Sequence, residues 1–207
     1  MVVGELEPTR AETPSGSAGD SIITRACDVR RYEDLVALHD AALAEYGRLD
    51  YVVANAGVTE WGLMSDGDPE RWRAVIETNV LGTAFAIRAT LPTLLRAGAG
   101  HIVITASISG RVAYVGEPLY VASKWALVGL GRTLRKEVAG SGIRVTLIEP
   151  GIVDTPLVSG TEEGRRELAE QRALSPEDVA AGVAFALARP DHVDIDELVI
   201  TPTEQAL

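Results

Sequence analysis

The length, composition and charge of the chain already exclude several classes of protein. It has 207 residues, with 19 basic and 30 acidic side chains and a net charge of −11. This length suits one domain over residues 1–207, and an apolar fraction of 46% excludes a disordered chain. The acidic balance argues against a nucleic-acid partner, because proteins that follow the phosphate backbone need a basic face.

The cysteine content and the apolar segments narrow the class further. Cys27 is the only cysteine, which excludes an internal disulfide and a cysteine-rich zinc site, and we expect no metal. The first ten residues lack the basic and then apolar layout of a secretory signal. The most apolar stretch, residues 79–95, is interrupted by Arg88 and Pro92 and is too broken to span a membrane. We therefore expect a cytoplasmic protein without a membrane partner.

Short apolar runs alternate with longer stretches of helical periodicity along the chain. The predicted strands are residues 2–6, 22–26, 51–54, 101–105, 144–148 and 197–200. The predicted helices are residues 33–46, 69–97, 119–139 and 176–188. Several runs, such as Ile102-Val103-Ile104, are apolar throughout, which is typical of strands covered on both faces in a parallel sheet. The alternation predicts an open α/β sheet with right-handed crossovers.

Local signals mark helix starts and irregular segments. Asp68 and Ser175 each stand directly before a proline, the arrangement of a helix cap followed by the first helical residue. Residues 7–20 contain prolines, glycines and serines, and we expect them to be irregular or mobile. Residues 159–172 are polar and charged, which indicates either a loop that covers a ligand at the strand ends or a solvated surface helix.

The strongest chemical signal is a tyrosine and a lysine four residues apart. Tyr120 and Lys124 share one face of the predicted helix 119–139. An ammonium beside a phenol favours the phenolate and lowers the pKa of the tyrosine, which suits a group that transfers a proton. On a surface helix the same spacing is common and carries no chemistry.

A serine stands where a parallel sheet presents polar groups to a ligand. Ser107 follows the strand 101–105, at its carboxyl end. Its hydroxyl either binds the carbonyl oxygen of a substrate whose proton Tyr120 supplies, or forms a turn with Ser109 and Gly110.

Three further segments carry candidate site residues. Asn55-Ala56-Gly57 ends the strand 51–54, and its small residues let the backbone approach a flat ligand. Asn79 interrupts an apolar helix, so it is either a packing polar group or part of a proton path. The segment Pro150-Gly151-Ile152-Val153-Asp154-Thr155 either exposes backbone amides and the Thr155 hydroxyl to a ligand or forms an ordinary loop.

Taken in order, these pieces resemble the short-chain dehydrogenase/reductase family, whose members move a hydride between NAD(P) and an alcohol or carbonyl. The matching motifs lie between Val2 and about Pro202 and are Cys27-Asp28-Val29, Asn55-Ala56-Gly57, Asn79, Ser107, Tyr120-x-x-x-Lys124 and Pro150-Gly151-Ile152-Val153-x-Thr155. The resemblance implies a Rossmann-like, doubly wound, mostly parallel sheet of about six strands with helices on both faces.

The resemblance also implies a role for each matching residue. Tyr120 is the expected acid/base, Lys124 binds the nicotinamide ribose, Ser107 orients the substrate oxygen, and Asn79 holds a water in a proton relay. Asp28 and Val29 are expected at the adenine edge, Asn55, Ala56 and Gly57 beneath the adenine ribose, and Ile152 and Thr155 at the carboxamide and a phosphate. The full implied set of cofactor contacts is Glu5, Asp28, Val29, Asn55, Ala56, Gly57, Tyr120, Lys124, Pro150, Gly151, Ile152, Val153 and Thr155.

Two features at the start of the chain bear on the cofactor. Glu5 ends the first predicted strand, where an acid accepts from the adenosine 2′-hydroxyl and repels a 2′-phosphate, so we expect NAD rather than NADP. The glycine-rich turn T-G-x-x-x-G-x-G of the family is absent, and we expect the chain to begin at the family's second strand, without the first β-α unit. The second and fourth family strands then either pair directly, or the amino-terminal part is mobile.

Several functions remain open on this basis. The first is an oxidoreductase acting on a secondary alcohol or ketone. The alternatives are a cofactor-poor, non-catalytic binding or assembly subunit and a non-redox lyase or isomerase. The resemblance implies a homodimer or homotetramer through helices 69–97 and 119–139, and we expect Trp61, Met64, Leu157 and residues 159–172 to shape the substrate pocket.

Overall fold

Strands and helices alternate along the computed structural model, which describes residues 1–6, 22–160, 162–170 and 172–205. The strands are β1 Val2–Glu5, β2 Ile23–Ala26, β3 Tyr51–Ala54, β4 Gly100–Thr105, β5 Ile143–Pro150 and β6 Glu197–Ile200. The α-helices are α1 Tyr32–Tyr46, α2 Pro69–Val75, α3 Thr83–Ala97, α4 Pro118–Glu137, α5 Pro156–Ser159, α6 Glu162–Glu170 and α7 Pro176–Leu187. A π-helical segment, Ile76–Gly82, joins α2 to α3, and a 3₁₀ turn, Ile108–Gly110, follows β4. The six predicted strands and the α/β class are confirmed.

The strands form two parallel sheets rather than one. The larger sheet has the order β3-β4-β5-β6, and β1 pairs with β2 in a second sheet of two strands. In the described part of the chain β1 makes no ladder with β3, so the direct pairing of these strands, one of the two expected arrangements, is not found. Tyr51 and Val53 on the free edge of β3 are 53% and 47% exposed. The other expectation concerned residues 7–20, which lie outside the described residues.

Helices cover both faces of the larger sheet, as the fold class predicts. On one face, a Cβ at Gly131 of α4 would lie 2.8 Å from Leu147 of β5. On the other face, a Cβ at Gly182 of α7 would lie 2.4 Å from Ile200 of β6. Glycine therefore allows each helix to approach the sheet closely. The core centres on β4 and β5, where Ile102 and other apolar side chains are fully buried.

The two-stranded unit is attached to the rest of the molecule through α1. The ring of His39 is hydrogen-bonded through Nε2 to Thr93 Oγ1 of α3 at 2.9 Å. Tyr32 meets Phe85 edge to face, with 5.8 Å between the ring centroids. These contacts hold α1, and with it β1 and β2, beside the larger sheet.

Three predicted segments differ in detail from the structure. The helix predicted over residues 69–97 is continuous but contains the π-helical segment, which the apolar periodicity did not indicate. Residues 162–170 form a helix, so of the two interpretations of 159–172 the surface helix is correct there. Strand β5 extends through Pro150, so the proline belongs to the strand. No helix among the described residues has the length and apolar character needed to cross a membrane.

Candidate active site

Ser107 lies where the carboxyl end of β4 meets β5 and α4. Its Oγ accepts a hydrogen bond of 3.1 Å from the backbone N–H of Ser109 and so caps the 3₁₀ turn. The same hydroxyl lies 3.5 Å from the carbonyl oxygen of Pro150, to which it donates. The turn expected from the sequence is present, and it also aims the Ser107 side chain at α4.

Tyr120 of α4 is the partner of Ser107 across this junction. Burial raises the pKa of the Tyr120 phenol to about 12, and the negative charge of Glu117 adds to the rise. The nearby Ser107 side chain acts in the opposite direction. The sequence predicts that Lys124 lowers this pKa, but in the chain alone the pKa is raised, because burial disfavours the phenolate. The phenol is therefore protonated at neutral pH.

Lys124 lies one helical turn beyond Tyr120 and is also buried. Its Nζ is 5.4 Å from the centroid of the Tyr120 ring and donates a hydrogen bond of 3.1 Å to the carbonyl oxygen of Thr105. Burial lowers the pKa of the ammonium to about 8. An ammonium has three protons to donate, and Thr105 is the one acceptor that the described residues supply, so two donors are available to a ligand.

Asn79 lies in the middle of the π-helical segment and is fully buried. Its Oδ1 accepts from the backbone N–H of Val58 at 2.8 Å, while Nδ2 donates to the Val58 carbonyl at 2.9 Å and to Ser123 Oγ at 3.0 Å. Ser123 in turn donates to the carbonyl oxygen of Tyr120 at 2.7 Å. These bonds tie the segment after β3 to the helix of Tyr120. Single π-helical turns within α-helices occur frequently at functional sites.

Two glycines let these parts approach each other. A Cβ at Gly57 would lie 3.4 Å from Asn79 Oδ1 and 3.9 Å from Lys124 Nζ, so the strand end lies between those two side chains. A Cβ at Gly110 would lie 2.9 Å from the carbonyl oxygen of Lys124 and 2.8 Å from Val128. The turn of Ser107 therefore contacts α4 directly. Asn55 and Ala56, by contrast, are exposed at the end of β3.

Most backbone amides in the segment after β5 donate hydrogen bonds to other residues of the chain. Gly151 N–H donates to Ile200 O at 2.7 Å, and Ile152 N–H donates to Oε1 of Gln205 at 3.1 Å. The Asp154 amide donates to Leu174 O at 2.9 Å. The expectation that this segment exposes its amides is therefore wrong for these three. Within the described chain the Val153 amide has no acceptor, and it lies between amides that are held in place.

The residues expected at the adenine end of a cofactor lie on the two-stranded unit. Glu5 ends β1, and its carbonyl oxygen accepts from Cys27 N–H at 2.9 Å. Hydrogen bonding to Arg30 lowers the pKa of the Asp28 carboxyl and occupies both of its oxygens. Val29 packs against the π-helical segment, since a Cβ at Gly82 would lie 2.8 Å from its Cγ2. No strand pairing in the described chain links Glu5 to the junction of Ser107 and Tyr120.

Sequence reasoning missed several residues that hold the junction together. They are Arg111, Ser123, Glu149 and Gln205. Ser123 stands inside the Tyr120–Lys124 motif, so its place on the helix was a usable signal. Arg111 and Glu149 contact each other across 38 residues of sequence, and no local pattern indicates that contact.

Comparisons with known proteins agree with this arrangement. A family model described as short chain dehydrogenase matches residues 3–166. An uncharacterized oxidoreductase of Staphylococcus saprophyticus is 38% identical over 179 residues, which cover 86% of this chain and 74% of that protein. An uncharacterized oxidoreductase of Listeria monocytogenes is 33% identical over 201 residues, which cover 94% of this chain and 81% of that protein.

Solved structures are similar over nearly the same span. A closed form of serine dehydrogenase complexed with NADP+ matches with a TM-score of 0.84 and 30% identity, over 91% of this chain and 79% of that one. An alcohol dehydrogenase from Thermococcus sibiricus, complexed with 5-hydroxy-NADP, matches with a TM-score of 0.82 and 29% identity, over 91% of this chain and 78% of that one.

Proposed function

The chain belongs to the short-chain dehydrogenase family, and we propose that it transfers a hydride between a nicotinamide cofactor and a secondary alcohol or ketone. The observation that carries this proposal is the buried ammonium of Lys124, 5.4 Å from the centroid of the Tyr120 ring, with the Ser107 side chain nearby. A protonated phenol next to a serine hydroxyl is the arrangement needed to polarise and protonate a carbonyl oxygen.

The residues present fit a nicotinamide cofactor. Lys124 has two donors that the described residues leave to a ligand, which suits the two hydroxyls of a ribose. The Val153 amide, without an acceptor in the described chain, suits the carboxamide oxygen or a phosphate. Gly57 leaves room beside Asn79 and Lys124 that a Cβ would fill. When bound, the nicotinamide supplies or accepts the hydride.

In carbonyl reduction the side chains of the chain manage one proton. Ser107 donates a hydrogen bond to the carbonyl oxygen and fixes its position at the phenol of Tyr120. Tyr120 donates its proton to that oxygen as the carbonyl carbon becomes a carbinol, and the phenolate is stabilised by the ammonium of Lys124. In alcohol oxidation the same groups act in reverse, with Tyr120 taking the hydroxyl proton. Asn79 keeps the helix of Tyr120 in register with the segment after β3.

The remaining expected cofactor contacts are part of the same proposal. Asp28, Val29, Asn55, Ala56, Pro150, Gly151, Ile152 and Thr155 are proposed to line the cofactor along with Glu5. Glu5 argues for NAD, because a carboxylate repels a 2′-phosphate. The similar serine dehydrogenase and the Thermococcus enzyme hold NADP or a derivative of it, which makes Glu5 the residue to test. Replacing Glu5 by Gln is expected to narrow the preference for NADH over NADPH.

The experiment is a calorimetric titration of the chain with NADH and with NADPH, followed by turnover assays. Turnover is followed by the absorbance of the reduced nicotinamide, on a panel of secondary alcohols and ketones that includes serine because of the similar serine dehydrogenases. Y120F is expected to lose turnover by at least about a hundredfold while keeping cofactor affinity. Tyr51→Phe, on the exposed edge of β3, is the matched control.

Each possible result has a clear meaning. Turnover that depends on Tyr120 supports the proposal. Full turnover by Y120F overturns the role of Tyr120 as the acid/base. Absence of cofactor binding by folded protein overturns the oxidoreductase proposal and favours a non-catalytic or non-redox relative.

We also propose that copies of the chain associate through α4 and the π-helical segment. Trp125 of α4 and Leu81 of the π-helical segment are 51% and 42% exposed, and apolar side chains of this kind suit an interface between copies. Light scattering is expected to give a dimer or tetramer. A monomer at every concentration rejects this part of the proposal.

A further inference from the structure

A fully buried carboxylate lies directly beneath the candidate active site. Glu149 is the penultimate residue of β5 and its side chain is 0% exposed. The guanidinium of Arg111 contacts both of its oxygens, with Arg111 Nη2 3.0 Å from Oε1 and Nε hydrogen-bonded to Oε2. A buried carboxylate is costly unless it is paired in this way.

A second carboxylate and a second guanidinium extend the pair to the surface. Glu197 of β6 accepts from Arg111, and also from Arg132 of α4, with 2.6 Å from Arg132 Nε to Oε1 and 3.1 Å from Nη2 to Oε2. Hydrogen bonding to Arg132 lowers the pKa of the Glu197 carboxyl, so this member is ionised at neutral pH. Two positive and two negative side chains thus form a neutral network between α4, β5, β6 and the segment after Gly110.

The buried pair closes a ring that contains Ser107. From Ser107 the chain runs through the 3₁₀ turn to Arg111, whose amide donates to Ile108 O at 2.8 Å. Arg111 is joined to Glu149, and Glu149 precedes Pro150, whose carbonyl oxygen accepts from Ser107 Oγ at 3.5 Å. Every link in this ring is a covalent segment or a hydrogen bond, so the position of Ser107 Oγ depends on the pair.

Stability alone does not account for an ion pair in this place. Replacing a buried ion pair with apolar side chains of similar volume is often neutral or stabilising. A bidentate guanidinium and carboxylate, however, fix distance and orientation in a way that apolar packing does not. The desolvation cost of Arg111 and Glu149 is thus compensated if their fixed geometry positions residues of the candidate active site.

We propose that Arg111 and Glu149 are positioning residues, which set the placement of Ser107 Oγ against the phenol of Tyr120. The proposal rests on the proposed function in one respect, the assignment of Ser107 and Tyr120 to the substrate oxygen. Neither Arg111 nor Glu149 touches the reacting atoms. They act through the turn and through the strand end.

The test compares the apolar pair R111M/E149L with S107A, using a readout that does not require turnover. The chain has five tyrosines, so protein labelled with ¹³C at tyrosine Cζ gives few resonances, and Y120F identifies that of Tyr120. The chemical shift of Cζ reports the hydrogen bonding of the phenol. We expect R111M/E149L to move the Tyr120 resonance in the same direction as S107A, while its melting temperature stays close to that of the parent.

Kinetics and conservative variants complete the design. In R111M/E149L we expect kcat to fall about tenfold to a hundredfold, with KM changed much less, because a misplaced hydrogen-bond donor acts on the transition state. R111K, which keeps the charge but loses the two-pronged geometry, is expected to fall between the parent and the apolar pair. R48Q/D50N removes an exposed, distant ion pair and is expected to leave the resonance and kcat unchanged. If R111M/E149L does not fold, the Tyr120 resonance and kcat of E149Q and R111K are compared with those of S107A instead.

The possible failures are distinguishable. If S107A moves the Tyr120 resonance and R111M/E149L, folded, does not, the positioning proposal is overturned and the proposed function stands. If S107A itself leaves the resonance unmoved, the contact between Ser107 and Tyr120 is refuted, and both proposals fall. Unchanged kcat in a folded apolar pair also overturns the positioning role.

Discussion

The buried ammonium of Lys124 donates a hydrogen bond of 3.1 Å to the carbonyl oxygen of Thr105, the last residue of β4. This bond joins the helix of Tyr120 to the end of a central strand. It also holds a cation in an environment that disfavours its charge, since burial lowers the pKa of Lys124 to about 8. The charge of this side chain therefore changes within an experimentally accessible pH range.

The pKa of Lys124 is directly measurable, because the chain has only two lysines, Lys124 and the exposed Lys136. Reductive methylation with ¹³C-formaldehyde labels the two lysines and the α-amino group of Met1, and the Lys124 resonance is expected to titrate near pH 8. Lys124→Met and Lys136→Met assign the two lysine resonances. A Lys124 resonance that titrates above pH 10 contradicts the burial effect.

The same shift predicts a rise of stability with pH. The pKa of Lys124 is about 8 in the folded chain, whereas that of a free lysine side chain is 10.5, so folding releases a proton between these pH values. The contribution of Lys124 to the free energy of unfolding then increases by about 2 kcal/mol from pH 8 to pH 9.5, and the raised pKa of buried Cys27 opposes it in the parent and in both lysine variants. Urea unfolding at a series of pH values measures this increase. K124M is expected to lack this increase and K136M to keep it.

Gly110 is expected to tolerate no side chain. A Cβ there would lie 2.9 Å from the carbonyl oxygen of Lys124, a backbone atom that cannot move aside cheaply. Gly110→Ala is expected to cost about 1–3 kcal/mol of stability and to lower turnover by pushing Ser107 away from Tyr120.

Gly129, on the same helix α4, is the matched control. A Cβ at Gly129 has open space within 4 Å, so Gly129→Ala is expected to stabilise the chain by about 0.5–1 kcal/mol through helix propensity. Equal unfolding free energies for the two variants would show that the turn has room to move.

The elements and the motif spacing were predictable because they depend on local signals. Apolar runs gave the six strands, and the four-residue spacing placed Tyr120 and Lys124 on one helix face. The cap at Asp68 was equally local, and its side chain accepts from Glu70 N–H at 2.9 Å.

Long-range effects were not predictable in the same way. The pKa of Tyr120 follows from how deeply the folded chain buries the phenol, and sequence proximity to Lys124 suggested the opposite direction. The contact of Arg111 with Glu149 is set by where the turn after β4 meets β5. The separation of β1 from β3 reflects pairing between distant segments, for which the sequence left two arrangements open.

Asn79 is expected to contribute strongly to stability through its three hydrogen bonds. Asn79→Ala leaves the part-buried amide and carbonyl of Val58 without their partner, which costs about 2–4 kcal/mol in urea unfolding. Ser123→Ala removes one of these bonds together with the bond from Ser123 Oγ to the Tyr120 carbonyl, and is expected to cost about 1–2 kcal/mol. If Asn79→Ala costs no measurable stability, the bonds to Val58 contribute nothing, and the role of Asn79 as a link between α4 and the segment after β3 is refuted.

His101 is expected to make the chain sensitive to acid. It is fully buried on β4, hydrogen-bonded through Nε2 to Thr146 Oγ1 at 2.7 Å, and paired in register with Arg144. Burial, and then the positive charge of Arg144, lower the pKa of His101 to about 4 from 6.5. The unfolded chain therefore binds a proton before the folded chain does. The stability that comes from keeping His101 neutral is fully present above pH 6.5 and is lost as the pH falls from 6.5 to 4.

Unfolding free energies at pH 7 and pH 4.5 measure this contribution, which we expect to be about 2 kcal/mol. His101→Gln keeps a side chain able to bond Thr146 but does not titrate. The unfolding free energy that this variant loses between pH 7 and pH 4.5 is therefore expected to be about 2 kcal/mol smaller than the loss of the parent. His192→Gln, at an exposed position, is the control and is expected to follow the parent. An equal loss of unfolding free energy in His101→Gln and in the parent would place the acid sensitivity on groups other than His101.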